Sequence, residues 1–464
     1  MVNVIGLSKN SNKCRNNEYI YNQITNLTTM RKVLILLCCA LLGVGGAFAQ
    51  DRDTVAGIPV NYDELKVGNY KEGLPDPLVF KNGKPVKNAR QWKKRRAEIL
   101  KIFEENEYGK WPAKKPKLRY DVTKDEGFGG EAVRKQITLY FSPDNDGPRV
   151  DVLVYLPKDA VGPCPILLDI NFSANNMAVS DPGIKPGRRW DPATKTLVEM
   201  QPMPAGGRFG GFGGFGGGMN ATIKKFLAAG FGFATFNYSD ITPDFQDNNE
   251  LGIRGMYHTP GAPRADDDWG SISAWAYGIS YMVDYFEKDP DIDATRIALT
   301  GCSRLGKTTI WTGAIEPRIK VVMPSCSGEG GAAISRRVYG ETIAHLMAPT
   351  RYPYQFCPKY AYWGERMTEM PMDAHMLVAL IAPRPLLLQT GSTDIWSDPT
   401  GEWLALVEGR KVYQLLGKDV PLMDEMPAPD QPIYTTLGYA MHEGGHGTMP
   451  QDWDYYLEFM KRHL

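Results

Sequence analysis

The stretch Arg296-Ile-Ala-Leu-Thr-Gly-Cys-Ser-Arg-Leu-Gly-Lys-Thr-Thr-Ile-Trp311 decides the fold class. A short apolar run, Arg296–Thr300, enters Gly301-Cys302-Ser303-Arg304-Leu305-Gly306, and a helical pattern follows. A serine at the apex of a sharp strand-to-helix turn, with glycine on either side, is lifted above a sheet where a substrate can reach it. The helix N-terminus behind it offers backbone N–H groups to a developing oxyanion. The spacing is G-x-S-x-x-G, not the commoner G-x-S-x-G, and a serine ahead of a helix can also be a simple cap. The strand–turn–helix context favours a nucleophile.

Working outward, near-continuous apolar runs recur at Pro165–Asn171, Gly232–Asn237, Lys320–Pro324, Arg384–Thr390 and Pro432–Leu437. Such runs mark strands buried on both faces. Helical stretches separate them, which predicts right-handed crossovers and an α/β fold with a mostly parallel central sheet and helices on both faces. Upstream, Gln91–Tyr108 reads as a helix. Val133–Ser142 and Arg149–Pro157 read as an antiparallel hairpin at the sheet edge. The clearest helix is Ser271–Glu287. Its apolar residues Ile272, Trp275, Ala276, Ile279, Met282, Val283 and Phe286 fall at steps of three and four, one stripe against a sheet. The preceding Asp266-Asp267-Asp268 suits the positive end of that helix.

Lys plus Arg and Asp plus Glu both number 53 in 464 residues, so the net charge is zero and a nucleic-acid binder with a basic face is excluded. At 43% hydrophobic and 23% charged the composition is that of a globular chain. Residues 1–49 read as an upstream segment and a secretory signal. Met30-Arg31-Lys32 precedes the apolar run Val33–Leu42, and Ala47-Phe48-Ala49 forms the cleavage end. The run is too short to span a bilayer, which needs about 20 apolar residues. The mature chain, 50–464 with its core at about 90–464, is therefore expected to be secreted or periplasmic, without stable membrane insertion. It keeps Cys164, Cys302, Cys326 and Cys357, which lack the C-x-x-C spacing of a zinc site. Gly206–Gly218 is a Gly/Phe run that cannot pack a core and reads as a surface loop, either a tolerated insertion or an overhang on a cleft.

A serine hydroxyl needs a base, and the base an orienting acid, in the chain order Ser, acid, His for this fold class. Of six histidines only His442, His446 and His463 follow the last strands. His446, in the glycine-rich loop His442-Glu443-Gly444-Gly445-His446-Gly447, is where the base belongs. His442 is expected at the surface or behind the base. Asp394 lies just past the strand Pro385–Gln389, at the usual acid position, whereas Asp398 precedes a proline and suits a turn or cap.

With these residues in place, the sequence resembles the bacterial glucuronoyl esterases of carbohydrate esterase family 15, over about residues 90–464. The resemblance is carried by Asp268-Trp269-Gly270, Gly301-Cys302-Ser303-Arg304-Leu305-Gly306-Lys307, Ser327–Ala333, Gly340-Glu341-Thr342, Ala382–Pro385, Asp394-Ile395-Trp396 and Asp398-Pro399. It implies an α/β-hydrolase that cleaves esters between 4-O-methyl-glucuronoyl groups of glucuronoxylan and lignin alcohols. It further implies Ser303 as nucleophile, His446 as base, Arg304 at the oxyanion, Lys307 and Glu341 on the sugar hydroxyls, and Trp396 against the sugar face. Many relatives carry a catalytic Glu where this chain has Cys326, and a thiol cannot hold an imidazolium. Asp394 then matches the alternative acid of bacterial members, with Glu329 a possible substitute. Cys302 and Cys326 are close enough in this picture for a bridge, though free buried thiols are the default.

The expected enzyme is a monomeric serine esterase that needs no cofactor and no metal, acts on a lignin–carbohydrate ester and contacts no nucleic acid. Two rivals keep parts of this picture. An acetyl xylan esterase would share the triad without needing Lys307, Glu341 and Trp396, and a non-catalytic carbohydrate-binding relative would not need the triad.

Overall fold

Nine strands pair into one sheet, and its two-sided burial explains the unbroken apolar runs at its centre. The computed structural model describes residues 53–200, 219–421 and 425–464. The signal segment and the Gly/Phe run lie outside the described residues. In chain order the strands are β1 Arg119–Gly127, β2 Ala132–Tyr140, β3 Arg149–Pro157, β4 Cys164–Asn171, β5 Gly232–Asn237, β6 Ile292–Cys302, β7 Ile319–Ser325, β8 Leu386–Gly391 and β9 Leu437–His442. Across the sheet they run β1-β2-β3-β5-β4-β6-β7-β8-β9. From β5 to β9 every pairing is parallel, and β1–β2, β2–β3 and β3–β5 are antiparallel. This is the mostly parallel sheet of an α/β-hydrolase.

Side chains alternate across a strand, so each central strand feeds two cores. Ile166, Leu168, Ile297, Leu299, Val322, Leu386 and Leu388 join one core with helices α1 Ala89–Asn106, α3 Ser271–Phe286, α4 Arg304–Ile315, α5 Ala374–Ile381 and α6 Pro399–Leu415. Leu167, Ala298, Val321, Met323 and Leu387 join the other, with α2 Met219–Ala228 and α7 Asp452–His463. Among the described residues, no helix is long and apolar enough to cross a membrane.

Four local expectations change. The hairpin β2–β3 is present, but β1 lies outside it and forms the edge. Its sequence Arg-Tyr-Asp-Val-Thr-Lys-Asp-Glu-Gly is mostly exposed. An edge strand in water needs no apolar alternation, only its ladder to β2. The last strand begins at Leu437 rather than spanning Pro432–Leu437. Pro432 cannot donate to a ladder. Ile433 instead pairs back on Tyr439, an approach that Gly438 permits because a Cβ there would sit 2.7 Å from the Ile433 carbonyl oxygen. Helix α3 is buried on almost every side, Asp284 excepted, because the N-terminal segment covers its far face; Trp111 meets Tyr277 edge-on at 5.1 Å. Finally, the three aspartates do not cap α3. Gly270 is its N-cap, while Asp267 pairs with Lys110 and Asp268 with Arg264.

Candidate active site

The elbow sits where β6 ends at the carboxyl edge of the sheet, the edge at which open α/β sheets place their ligands. Ser303 has φ 62° and ψ −125°, a conformation that a non-glycine residue adopts only under constraint. The constraint is visible. Its N–H donates to the Ser325 carbonyl on β7 at 2.9 Å, and its own carbonyl accepts from the Lys307 N–H at 3.0 Å. A Cβ on Gly306 would lie 2.4 Å from the Ser325 carbonyl oxygen, and one on Gly301 2.9 Å from that of Leu305. Glycine at both positions is therefore what lets α4 start against β7. Ser303 is part-exposed and its side chain makes no capping hydrogen bond, so its hydroxyl is not spent on the helix.

His446 and Asp394 meet across two neighbouring loops. Parallel pairing of β8 with β9 matches Gly391 with His442, so the chains leaving both strands start side by side. The Ser392 N–H donates to the His442 carbonyl at 3.0 Å and the Thr393 N–H to that of Gly444 at 2.8 Å. His446 Nδ1 then lies 2.7 Å from Asp394 Oδ2, with Ser397 Oγ at 3.2 Å. Asp394 is buried, whereas the imidazole is 23% exposed. Burial pushes the imidazole down, but the hydrogen bond and charge of Asp394 outweigh it and raise His446 to about 9. Burial likewise opposes ionisation of Asp394, yet the imidazole holds its carboxyl below the ordinary range.

His442 is a fully buried member of β9, not a surface residue. Its Nδ1 pairs with Asp452 Oδ2 at 2.9 Å and its Nε2 meets the Gly445 carbonyl at 2.9 Å, which braces the loop carrying His446. Glu329 is turned away from the imidazole. Its Oε1 accepts from Ser335 Oγ at 2.7 Å and Tyr360 OH at 2.9 Å, and burial raises the carboxyl to about 8. Asp398 caps α6 through the Gly401 N–H and pairs with Arg337 at 2.7 Å. Cys302 and Cys326 are free thiols in side-chain contact with each other. The Cys326 thiol donates to the Gly447 carbonyl at 3.5 Å. Cys326 Sγ, a carboxylate oxygen of Asp394 and a ring nitrogen of His446 lie within 4.8 Å of one another, a set that could ligate a metal.

Arg304 starts α4 beside the serine. Its guanidinium pairs with Asp244, and its carbon lies 5.1 Å from the Tyr352 ring centre and 5.8 Å from that of Phe172. Asp244 also accepts from Tyr238 OH at 2.6 Å, and from Tyr354 OH and Gln355 Nε2 at 2.8 Å each. A guanidinium has five N–H donors, so donors remain after this pairing. Lys307 is buried rather than solvated. Its Nζ donates to the Ser327 carbonyl at 2.7 Å and lies 3.7 Å from Glu341 Oε2. Arg351 takes the other Glu341 oxygen at 3.0 Å, and its guanidinium carbon lies 5.7 Å from the Trp396 ring and 4.6 Å from the Tyr352 ring. The Glu341 N–H donates to the Trp396 carbonyl at 2.9 Å. Lys307, Glu341 and Trp396 thus form one connected group beside the elbow. Glu402, fully buried on α6, accepts from Ser327 Oγ at 3.1 Å and the Gly328 N–H at 2.6 Å, and so orders the loop after β7.

Asp244, Arg351, Tyr352 and Glu402 escape the sequence reading. Asp244 carries a usable signal, since it stands shortly after β5 on the same edge as the serine. The others have no local signature; they reach the site from loops and a helix far along the chain.

A family model described as "Glucuronyl esterase, fungi" matches residues 210–417. The chain is 38% identical over 414 residues to carbohydrate esterase MZ0003 from an unknown prokaryotic organism, covering 87% of this chain and 92% of that one. It is similar to the solved glucuronoyl esterase from Solibacter usitatus, with 40% identity, a TM-score of 0.78, and coverage of 86% of this chain and 99% of that one. A 4-O-methyl-glucuronoyl methylesterase from Schizophyllum commune is 24% identical, covering 82% of each chain.

Proposed function

The chain belongs to carbohydrate esterase family 15, the glucuronoyl esterases, and is a carboxylic ester hydrolase; on that footing we propose how its own residues cleave the ester. It hydrolyses esters of 4-O-methyl-glucuronoyl groups. Ser303 attacks the ester carbonyl while His446 Nε2 takes its proton. Asp394 holds the Nδ1 proton, which fixes the ring tautomer and steadies the imidazolium that forms. Arg304 and the first backbone N–H groups of α4 stabilise the tetrahedral oxyanion, the guanidinium adding full charge to the usual dipoles. The alcohol leaves with the proton from His446, and water repeats the sequence on the acyl-enzyme.

Lys307 and Glu341 bind the sugar hydroxyls, and Trp396 covers the apolar face of the pyranose. The natural ester links glucuronoxylan to a lignin alcohol. Export through residues 30–49 places the mature enzyme in the periplasm or outside the cell. It acts as a monomer.

The observation that carries this reading is the 2.7 Å contact of His446 Nδ1 with Asp394, a pair within 4.8 Å of the Cys326 sulfur, which directly follows the Ser325 carbonyl that accepts from the strained Ser303. A benzyl glucuronate ester and an acetyl ester test it. Ser303→Ala lowers kcat on the glucuronate ester at least about 10³-fold. Lys307→Ala and Glu341→Ala raise KM for the glucuronate ester and leave any acetyl esterase rate unmoved. Unchanged turnover in Ser303→Ala overturns the nucleophile. Equal losses on both esters overturn the sugar site and favour a general carbohydrate esterase.

A further inference from the structure

Spacing along the chain suggested no zinc site, yet folding assembles a sulfur, a nitrogen and an oxygen at one point. Among the described residues, Cys326, Asp394 and His446 form a group whose ligand atoms all lie within 4.8 Å of one another. We propose that Cys326 Sγ, Asp394 Oδ1 and His446 Nδ1 form a capture site for a thiol-seeking divalent cation, zinc above all, that reversibly shuts the esterase off. The inhibition rests on His446 being the base; the binding does not.

Three observations point to a cation. The first is the donor set. A thiolate with an imidazole and a carboxylate suits zinc, whereas magnesium and calcium prefer oxygen alone. Three protein ligands leave a fourth position for water, the arrangement of open zinc sites. The second is an unfilled valence. Asp394 Oδ2 is engaged by His446 Nδ1, but Asp394 Oδ1, on a side chain 1% exposed, has no hydrogen-bond partner. A buried carboxylate oxygen without a partner is costly, and a cation would satisfy it. The third is proximity: the Cys326 sulfur lies within 4.8 Å of that same carboxylate. Zinc–ligand bonds of about 2.0–2.3 Å bring ligand atoms to roughly 3.3–3.8 Å apart, so small side-chain rotations close the set.

The consequence for chemistry follows from the ring. Zinc on Nδ1 displaces the proton held there. A neutral imidazole metallated at Nδ1 carries its proton on Nε2, and that nitrogen then donates instead of accepting from Ser303. The thiol proton is released to solvent as the zinc–sulfur bond forms. A neutral ring only moves its Nδ1 proton to Nε2, so capture then frees one proton; the imidazolium present below about pH 9 also gives up its Nδ1 proton, so capture frees two, and neither case needs an oxidant or reductant.

The test uses the mature enzyme, stripped of metal, in a non-chelating buffer. Micromolar zinc chloride is expected to abolish hydrolysis of the benzyl glucuronate ester, EDTA to restore it, and equal magnesium or calcium to do nothing. Each variant is scored against its own zinc-free rate. Cys326→Ser and Cys326→Ala should need at least tenfold more zinc for half-inhibition, and Cys302→Ser no more than wild type. Binding is read without turnover in Ser303→Ala. Cobalt(II) should produce a thiolate-to-metal charge-transfer band that is absent from Ser303→Ala/Cys326→Ser, and zinc should raise its melting temperature. Zinc sensitivity unchanged in both Cys326 variants, or cobalt bound without that band, overturns the site. Full turnover by Ser303→Ala overturns the catalytic reading instead and leaves the band to be judged alone.

Discussion

At His446 two opposing effects set the charge, and the carboxylate wins. As the proposed base, the ring must be neutral to accept the Ser303 proton. A pKa raised from its ordinary value of 6.5 to about 9 keeps the ring protonated further up the scale. The acid limb of kcat/KM therefore moves up, and activity climbs from pH 7 towards pH 9. Asp394→Asn removes the opposing carboxylate and leaves burial, so the limb drops below the ordinary histidine range while kcat falls by about 10²- to 10⁴-fold. A pH profile of both proteins decides this, and a wild-type limb at or below 6.5 contradicts it. Arg304 is held in the same way by one buried carboxylate that four side chains approach. Asp244→Ala should lower kcat by about 10- to 100-fold with little change in KM, because it frees the guanidinium proposed to stabilise the oxyanion. The loss should vanish in an Arg304→Ala background, which a double-mutant cycle measures.

Among the elements, the junction of β6 and α4 tolerates least. Gly306→Ala puts a methyl 2.4 Å from a backbone carbonyl of β7, an atom that cannot swing aside. Overpacking of this kind costs about 1–3 kcal/mol, and here it also tilts the helix that carries Arg304 and Lys307. Gly68→Ala, which meets nothing within 4 Å, should be near neutral. Urea midpoints and kcat of the two variants test the contrast. The same junction was plain in the sequence, because apolar strand, glycines and helix follow one another within sixteen residues. So were β3, expected as a hairpin strand, and β5, expected from an apolar run, whose bounds match residue for residue. The strand β1 was not, since a solvent-facing edge carries no hydrophobic period. The start of β9 was not, since Pro432 and Ile433 look like strand residues until the chain folds back on Tyr439.

For the whole molecule, two cores on opposite faces of one sheet account for the apolar runs, and four thiols stay free within it. Thiol titration of the unfolded mature protein, without reductant, should therefore return four groups per chain. A count of two would mean a bridge, and it would also remove the sulfur on which zinc capture depends. Mass measurement of the exported protein should place its first residue at Gln50; retention of residues 30–49 would contradict cleavage after Ala49.

Residue order alone determined the α/β-hydrolase class, the elbow serine, the family and the short list of histidines and carboxylates. These are local matters: periodicity, a tight turn and a motif all fit within a few turns of chain. Tertiary structure alone decided which carboxylate reaches the imidazole. Asp394 and Glu329 are both acidic and both follow a strand, but pairing of β8 with β9 brings Asp394 to His446 across 52 residues, while Glu329 turns to Ser335 and Tyr360. It also decided that Asp244 holds Arg304 and that Cys326 meets the Asp394 carboxylate. Strand register and packing set such meetings, and neither quantity is written in any one segment of the chain.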